Sequence, residues 1–136
     1  MAHADVEMIE RAYGLWAQRR FDDFFAMLDP EIEWIPPAYA LEPGTVHGIE
    51  EVKRGVGAYF EAFAEFVPSA ERIMPTGREG EYLSLATTRV RGRESGVETQ
   101  IEVAHLIQIR DGRFVRFQVF PDRAEAFAAT GLDPAT

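Results

Sequence analysis

The apolar residues of this chain change their spacing once, close to Pro68. Before that point they recur every three or four residues, the spacing of a helix that buries one face. After it they alternate with polar residues, which predicts strands at about 69–76, 80–92, 97–109 and 113–121. Helices followed by a meander of strands predict an α+β fold, with the helices packed on one face of a curved sheet.

Three helices are expected before the change in spacing. The first, from about residue 4 to 19, is indicated by an apolar stripe of Val6, Ile9, Tyr13 and Trp16. The second covers FDDFFAML and is expected to end at Asp29-Pro30, because the residue before a proline is disfavoured in the helical conformation. A short strand, IEWIPP, follows this helix.

A loop rich in proline, glycine and polar residues, 38–47, precedes the third helix. That helix is expected to end at Val67-Pro68, and its stripe comprises Ile49, Val52, Val56, Tyr59, Phe60 and Phe63. Asp111-Gly112 predicts a tight hairpin between the last two strands, and the segment 94–96 predicts a looser one. The stretch AEAFAATGL predicts a terminal helix that stops at Gly131.

Composition narrows the classes of function. A length of 136 residues predicts one domain spanning 1–136. A net charge of -9 argues against nucleic-acid and anionic membrane partners, and Arg89, Arg91 and Arg93 are interpreted as the edge of a solvated hairpin. No cysteine is present, so thiolate chemistry is excluded. Acidic residues in MAHADVEMIE favour a cytoplasmic protein over an exported one.

One polar residue interrupts the apolar row of the third long strand. In IEVAHLIQI, His105 occupies the same face as Ile101, Val103, Ile107 and Ile109. Burial of an unpartnered imidazole is costly. Two interpretations stay open: a core histidine bonded to a neighbour, or a group that lines a pocket.

Three phrases resemble a known family: FDDFFAMLDPEIEW, VHGIEEV and VAHLIQIRDGRFVRFQVFPDRAEAFAATGL. They are similar to the SnoaL-like branch of the nuclear-transport-factor-two-like superfamily. This resemblance implies a cone-shaped, curved antiparallel or mixed sheet with three helices on its concave face, a cystatin-like roll, and a homodimer. The same cone serves ketosteroid isomerases, polyketide cyclases, epoxide hydrolases and proteins without catalytic activity.

The resemblance carries functional positions over one at a time. His105 falls where the isomerases have an oxyanion-hole Asp and where related cyclases have a His, whereas Ile35 and Ala12 occupy the positions of the isomerase base and Tyr. For the epoxide hydrolases, Arg89 could stand for the Arg. Arg91 and Gln118 then occupy the two Asp positions.

These matches favour a cofactor-free acid/base enzyme, cyclase-like or isomerase-like, acting on a hydrophobic molecule that bears a carbonyl. His105 is the expected catalytic centre and Asp122, near the mouth of the cone, the expected carboxylate partner. The alternative is a non-catalytic domain that binds a hydrophobic small molecule. The residues expected to contact the ligand are Tyr13, Trp16, Trp34, Tyr39, Phe60, Phe63, Arg89, Phe117 and Val119.

Several of these residues also have a purely structural interpretation. Asp122, three residues before Glu125, has the pattern of a helix N-cap, and Arg89 has Glu98 as a candidate ion-pair partner. His47 precedes the third helix and is interpreted as solvated or capping. Three scattered histidines lack the spacing of a metal site, so we expect neither a metal nor a cofactor.

Overall fold

The computed structural model describes residues 2–37 and 44–135. In chain order, its helices and strands are α1 (Ala2–Ala17), α2 (Phe21–Phe25), β1 (Leu28–Ile35), β2 (Val46–His47), α3 (Ile49–Ala62), β3 (Phe63–Pro75), β4 (Glu81–Gly92), β5 (Glu98–Arg110), β6 (Arg113–Phe120) and α4 (Arg123–Thr130).

The six strands form one curled, open sheet in the order β2-β1-β6-β5-β4-β3. β1 runs parallel to β6, and the other neighbouring pairs are antiparallel. The predicted α+β class with a mixed sheet is therefore confirmed.

Alternation along β5 separates the two faces of the sheet. Val103, His105 and Ile107 point toward α1, α2 and α3, where the larger apolar cluster lies. Ala104 and Leu106 point the other way and pack with Ala126 and Phe127 of α4 and with Leu132, which follows it. Because side chains alternate along a strand, His105 must share a face with the helices that cover the sheet.

Two hydrogen bonds fix α1 over the sheet. Near its beginning, the Tyr82 hydroxyl of β4 donates to Oδ2 of Asp5 at 2.8 Å. Near its end, Nε1 of Trp16 donates to the carbonyl oxygen of Phe66 in β3 at 2.7 Å. With Ile9 buried between them, these contacts set which side chains of α1 can reach the middle of the sheet.

The third helix is shorter than its sequence pattern predicts. It ends at Ala62, and the chain from Phe63 onward pairs with β4, including Phe66 opposite Val90. The three-residue spacing of Phe63 and Phe66 continues the helical pattern, but pairing with β4 makes this segment a strand because it saturates the backbone hydrogen bonds. A register shift between Phe63 and Glu65 allows both rings to line the same cavity. Pro68 is tolerated within β3 because β3 is an edge strand.

The second helix also ends earlier than predicted. It stops at Phe25, and β1 begins at Leu28, so Asp29 and Pro30 lie inside the strand and do not follow a helix directly. The register of β1 against β6 shifts between Leu28 and Glu33. A proline near the start of a strand, next to an irregular register, is a position that a sheet tolerates.

The turn predictions are confirmed. Asp111 and Gly112 have φ angles of 52° and 76°, as a two-residue turn with two left-handed positions requires. Gly131 ends α4 in the left-handed conformation, with φ 75°. The Asp111-Gly112 turn pairs Arg110 with Arg113, and a register shift between Gln108 and Ile109 then places His105 opposite Val119.

Candidate functional site

A cavity of about 440 Å³ lies between the helices and the sheet face that they cover. This volume falls in the range of small-molecule pockets. Its walls are mainly aliphatic and aromatic. Of the residues expected from the sequence to contact a ligand or to act on it, those that line the cavity are Tyr13, Trp16, Trp34, Phe63, His105, Phe117 and Val119.

His105 lies in the interior of this cavity. It stands in β5 between Ser84 of β4 and Val119 of β6, and only 5% of the residue is exposed. Its ring packs against Phe117, with 4.8 Å between the ring centroids. Neighbouring strands therefore flank His105 on both sides, and Phe117 contacts one side of its ring.

The Tyr13 hydroxyl connects α1 to this imidazole. It lies 2.7 Å from Nδ1 of His105 and 2.8 Å from Oγ of Ser84. Both distances are those of good hydrogen bonds. The two sequence interpretations of His105 are therefore both correct in part, since the ring is bonded to a neighbour and also lines a cavity.

Burial keeps both titratable groups of this cluster neutral. Desolvation lowers the pKa of His105 from 6.5 to about 4, because the charged imidazolium is disfavoured in an apolar interior. Desolvation also raises the pKa of Tyr13 above its ordinary value, against a smaller opposing effect of the Ser84 hydrogen bond. At neutral pH the interior of the cavity thus offers polar atoms without a net charge.

The cavity has other polar residues in its wall: two threonines, which carry no charge, and one glutamate, which is largely exposed to solvent. Thr88 and Thr99 contribute hydroxyl-bearing side chains from β4 and β5. Glu51 of α3 also lines the cavity, but its side chain is 54% exposed and pairs with Arg54 at 3.0 Å. This carboxylate therefore belongs to the solvent side, so the arrangement suits a largely apolar guest.

Sequence comparison identifies the family. The model of the SnoaL-like domain matches residues 9–117, which is most of the chain. The chain belongs to the SnoaL-like domain family. The resemblance drawn from three phrases of the sequence is therefore confirmed. No curated protein matches this SnoaL-like domain by sequence.

Solved structures resemble this SnoaL-like domain over nearly its whole length. An NTF2-like protein of unknown function from Burkholderia pseudomallei K96243 matches with a TM-score of 0.78 and 21% identity, covering 94% of this chain and 98% of that one. TerC, co-crystallised with polyporic acid, has a TM-score of 0.77 and 16% identity over 94% and 98% of the two chains.

A third structure with this fold also carries a ligand. RV0760c from Mycobacterium tuberculosis, in complex with estradiol-17beta-hemisuccinate, has a TM-score of 0.73 and 9% identity over 84% and 90% of the two chains. Because these identities are low, the three structures establish the fold of the SnoaL-like domain, a fold in which small molecules are bound.

The structure places Asp122 outside the cavity, at the beginning of α4. Its carboxylate is the N-cap of α4, where Oδ1 accepts a hydrogen bond from the backbone nitrogen of Ala124 at 2.8 Å. The residue is exposed and is not part of the cavity wall. Its structural interpretation as a helix cap is confirmed. A cap satisfies otherwise unpaired N–H groups of the first helical turn, and this local bond holds the side chain.

Replacing Asp122 with Ala should therefore change stability and leave the cavity intact. We expect a loss of about 1 kcal/mol in the free energy of unfolding, because the first turn of α4 loses its acceptor. Urea denaturation measures this loss, and Asp122→Asn, which retains a capping oxygen, should show little of it. A large effect of Asp122→Ala on ligand affinity at unchanged stability would contradict the capping role.

Two of the residues expected to contact a ligand do not line the cavity. Nε of Arg89 pairs with Glu65 at 3.2 Å and with Glu98 at 3.8 Å, so its ion-pair interpretation is confirmed. Phe60 packs with Phe21 beside Trp16, outside the cavity wall. Arg89 alternates with Thr88 and Val90, which line the cavity, so its side chain points to the other face of β4. Phe60 of α3 is kept from the cavity by its packing against Phe21.

Two other residues singled out from the sequence are Tyr39 and His47. Tyr39 falls outside the described residues. His47 is mainly exposed and lies 3.4 Å from Glu33, which agrees with a solvated residue.

Within residues 2–37 and 44–135, no group of three or more His, Asp or Glu side chains could hold a metal ion. In that same part of the chain, no helix has the length and apolar character needed to cross a membrane.

Sequence reasoning missed how His105 is held. Counting along the chain placed Ala12 at the position of the isomerase Tyr, but Tyr13, the next residue, supplies the hydroxyl that meets His105. Ser84 was not considered, although it interrupts the apolar face of YLSLA as His105 interrupts its own strand. Two polar residues on the covered faces of adjacent strands, Ser84 and His105, were the sequence feature that could have indicated this hydrogen-bonded cluster.

Proposed function

We propose that this SnoaL-like domain binds an apolar, ring-containing small molecule that makes one orienting hydrogen bond with Nε2 of His105. The observation that carries this proposal is a neutral imidazole in the wall of a 440 Å³ apolar cavity. Nδ1 is bonded to Tyr13, and Nε2 has no hydrogen-bond partner among the residues that the structure describes. Apolar pockets with a few directed polar groups are typical of small-molecule sites.

TerC and RV0760c, which share this fold, were crystallised with polyporic acid and with estradiol-17beta-hemisuccinate, and this supports a small-molecule binding function. The position of Asp122 also favours binding over catalysis. Proton abstraction needs a base within hydrogen-bond reach of the substrate, and the expected carboxylate caps α4.

A cofactor-free acid/base enzyme is the second candidate, and the hydrogen bond between Tyr13 and His105 favours it. An imidazole held by this hydroxyl could donate its Nε2–H to an oxyanion that forms from a carbonyl substrate. A cyclase-like or isomerase-like activity on a hydrophobic carbonyl compound would follow. The predicted homodimer and cytoplasmic location remain predictions for either function.

Fluorenone and fluorene test the binding proposal, because they share one tricyclic frame and differ by a carbonyl. In His105→Leu, we expect fluorenone affinity to fall about threefold to tenfold, the loss of one hydrogen bond, while fluorene affinity stays unchanged. Isothermal titration calorimetry measures both. Failure of the parent protein to bind either compound would refute the proposal, as would an equal loss for both in the variant.

The enzyme candidate has its own readout. 2-Tetralone incubated in D₂O with the parent protein exchanges its α-protons faster than in buffer alone if the domain catalyses enolisation, and NMR follows this exchange. Exchange that is accelerated by the parent and lost in His105→Gln would establish the catalytic candidate. Exchange at the buffer rate would eliminate it for this class of substrate and leave the binding function.

A further inference from the structure

Three hydrogen-bonding side chains form a short chain from the interior of the sheet to the cavity. Ser84, Tyr13 and His105 are joined by two hydrogen bonds, of 2.8 and 2.7 Å. We infer that Tyr13 acts through this chain as a positioning residue, which holds His105 in the form with its proton on Nε2, so that the cavity selects ligands with a hydrogen-bond acceptor. The selection of ligands rests on the proposed binding function.

Counting hydrogens gives the direction of the chain. The neutral forms of the three side chains each carry one polar hydrogen, whereas only two bonds join them. One hydrogen must therefore point elsewhere. Ser84 is fully buried, does not line the cavity and has no other hydrogen-bond partner among the described residues. Its hydrogen has one available acceptor, the oxygen of Tyr13.

The rest of the pattern follows from that first bond. Once Ser84 donates to Tyr13, the Tyr13 hydrogen can only be used by donating to Nδ1 of His105. Nδ1 is then an acceptor, so the proton of the neutral ring is on Nε2. The reverse direction would bury the hydrogen of Ser84 without an acceptor, which is the costly alternative.

The hydrogen on Nε2 of His105 therefore points into the cavity, where a guest molecule can accept it. An Nε2–H group donates to a carbonyl, an ether or a phenolate oxygen. It cannot accept from an N–H group of a ligand, and two donors facing each other would both stay unpaired. The resting protein is thus built to orient an acceptor, and Nε2 is not free to act as a base in that form.

Nitrogen NMR of the free protein, labelled with ¹⁵N-histidine, tests the tautomer at pH 7. We expect the His105 spectrum to show a protonated Nε2 and an unprotonated Nδ1. In Tyr13→Phe, the hydroxyl that pairs with Nδ1 is absent, and we expect the population with a proton on Nδ1 to rise. Thr87→Ala is the matched control, because it removes a hydroxyl from the opposite face of β4 and should leave the His105 signals unchanged.

Ser84→Ala tests whether Tyr13 itself, and not Ser84, holds the tautomer of His105. In this variant the Tyr13 hydroxyl keeps Nδ1 as its acceptor, so the Nε2–H form should persist. A parent protein with its proton on Nδ1 would overturn the inference, and so would a change of tautomer in Ser84→Ala. The parent spectrum decides even where a variant does not fold.

Carbazole, which has an N–H donor in the same tricyclic frame, tests the selection of ligands. We expect the parent to prefer fluorenone over carbazole by roughly tenfold, and Tyr13→Phe to lose most of this preference. Equal affinity of the parent for the two compounds would overturn the inferred selection. If neither compound binds, the binding proposal fails, and the tautomer measured in the free protein still tests the hydrogen-bond pattern separately.

Discussion

Replacing Gly55 with Phe should reduce fluorenone affinity by about tenfold or more and leave the fold intact. Gly55 lies within α3 and lines the cavity. A Cβ atom added at this position would meet no atom within 4 Å, so a larger side chain enters the volume that a ligand would occupy. Phe is also a better helix former than Gly, and the free energy of unfolding should not fall.

Gly57 offers a matched control on the same helix. It is exposed, lies outside the cavity wall, and likewise has open space around an added Cβ. Gly57→Phe should therefore gain the same helix propensity and keep the affinity of the parent. Calorimetric titration with fluorenone compares the variants, and thermal unfolding compares their stabilities. Similar affinities for both variants would show that the guest does not occupy this cavity.

The stability of the protein should depend on pH through His105. Burial lowers its pKa to about 4, whereas the unfolded chain binds the proton near 6.5, so the unfolding free energy should fall by about 3 kcal/mol from pH 7 to pH 4. The sign follows from proton counts, because the unfolded state binds more protons in this window. That contribution is fully present above pH 6.5 and is lost as the pH falls toward 4.

Urea denaturation at a series of pH values measures this dependence, with His105→Gln as the control. The variant has no titrating ring at this position, so the difference between the two curves isolates His105. Glu33 and Glu71 have lowered pKa values, each chiefly through a side-chain hydrogen bond, from Arg116 and Thr87 respectively. Their contributions are also lost on acidification, and they cancel in the comparison. Parallel curves for parent and variant between pH 6.5 and 4 would contradict a buried neutral imidazole.

The covered face of β5 was predictable because it depends on local rules. Alternation puts His105 on the face of Val103 and Ile107. The Asp111-Gly112 turn fixes where β6 begins to pair with β5, although the register shifts by one residue between Gln108 and Ile109. The cap at Asp122 is equally local, since it joins residues two positions apart. The spacing of Asp122 and Glu125 indicated this cap, and the place of Asp122 just after the last strand indicated a carboxylate near the mouth of the cone.

The end of α3 could not be predicted in the same way. Phe63 and Phe66 are three residues apart, which is the spacing of an apolar helix stripe and not of an alternating strand. Pairing of this segment with β4 selects the strand, and β4 lies some twenty residues further along the chain. Periodicity indicated a helix here because a register shift between Phe63 and Glu65 breaks the alternation of the strand and lets both rings line the cavity.

Taken alone, the sequence determined the fold class, the family, and the face on which His105 stands, because periodicity and turn chemistry act over a few residues. Only the tertiary structure decided what the imidazole meets. Tyr13 and His105 are 92 positions apart, and their bond exists because α1 is fixed across the sheet at both of its ends. Hydrogen bonds require atoms to lie within about 3 Å, and only the packing of helix on sheet sets distances of that kind.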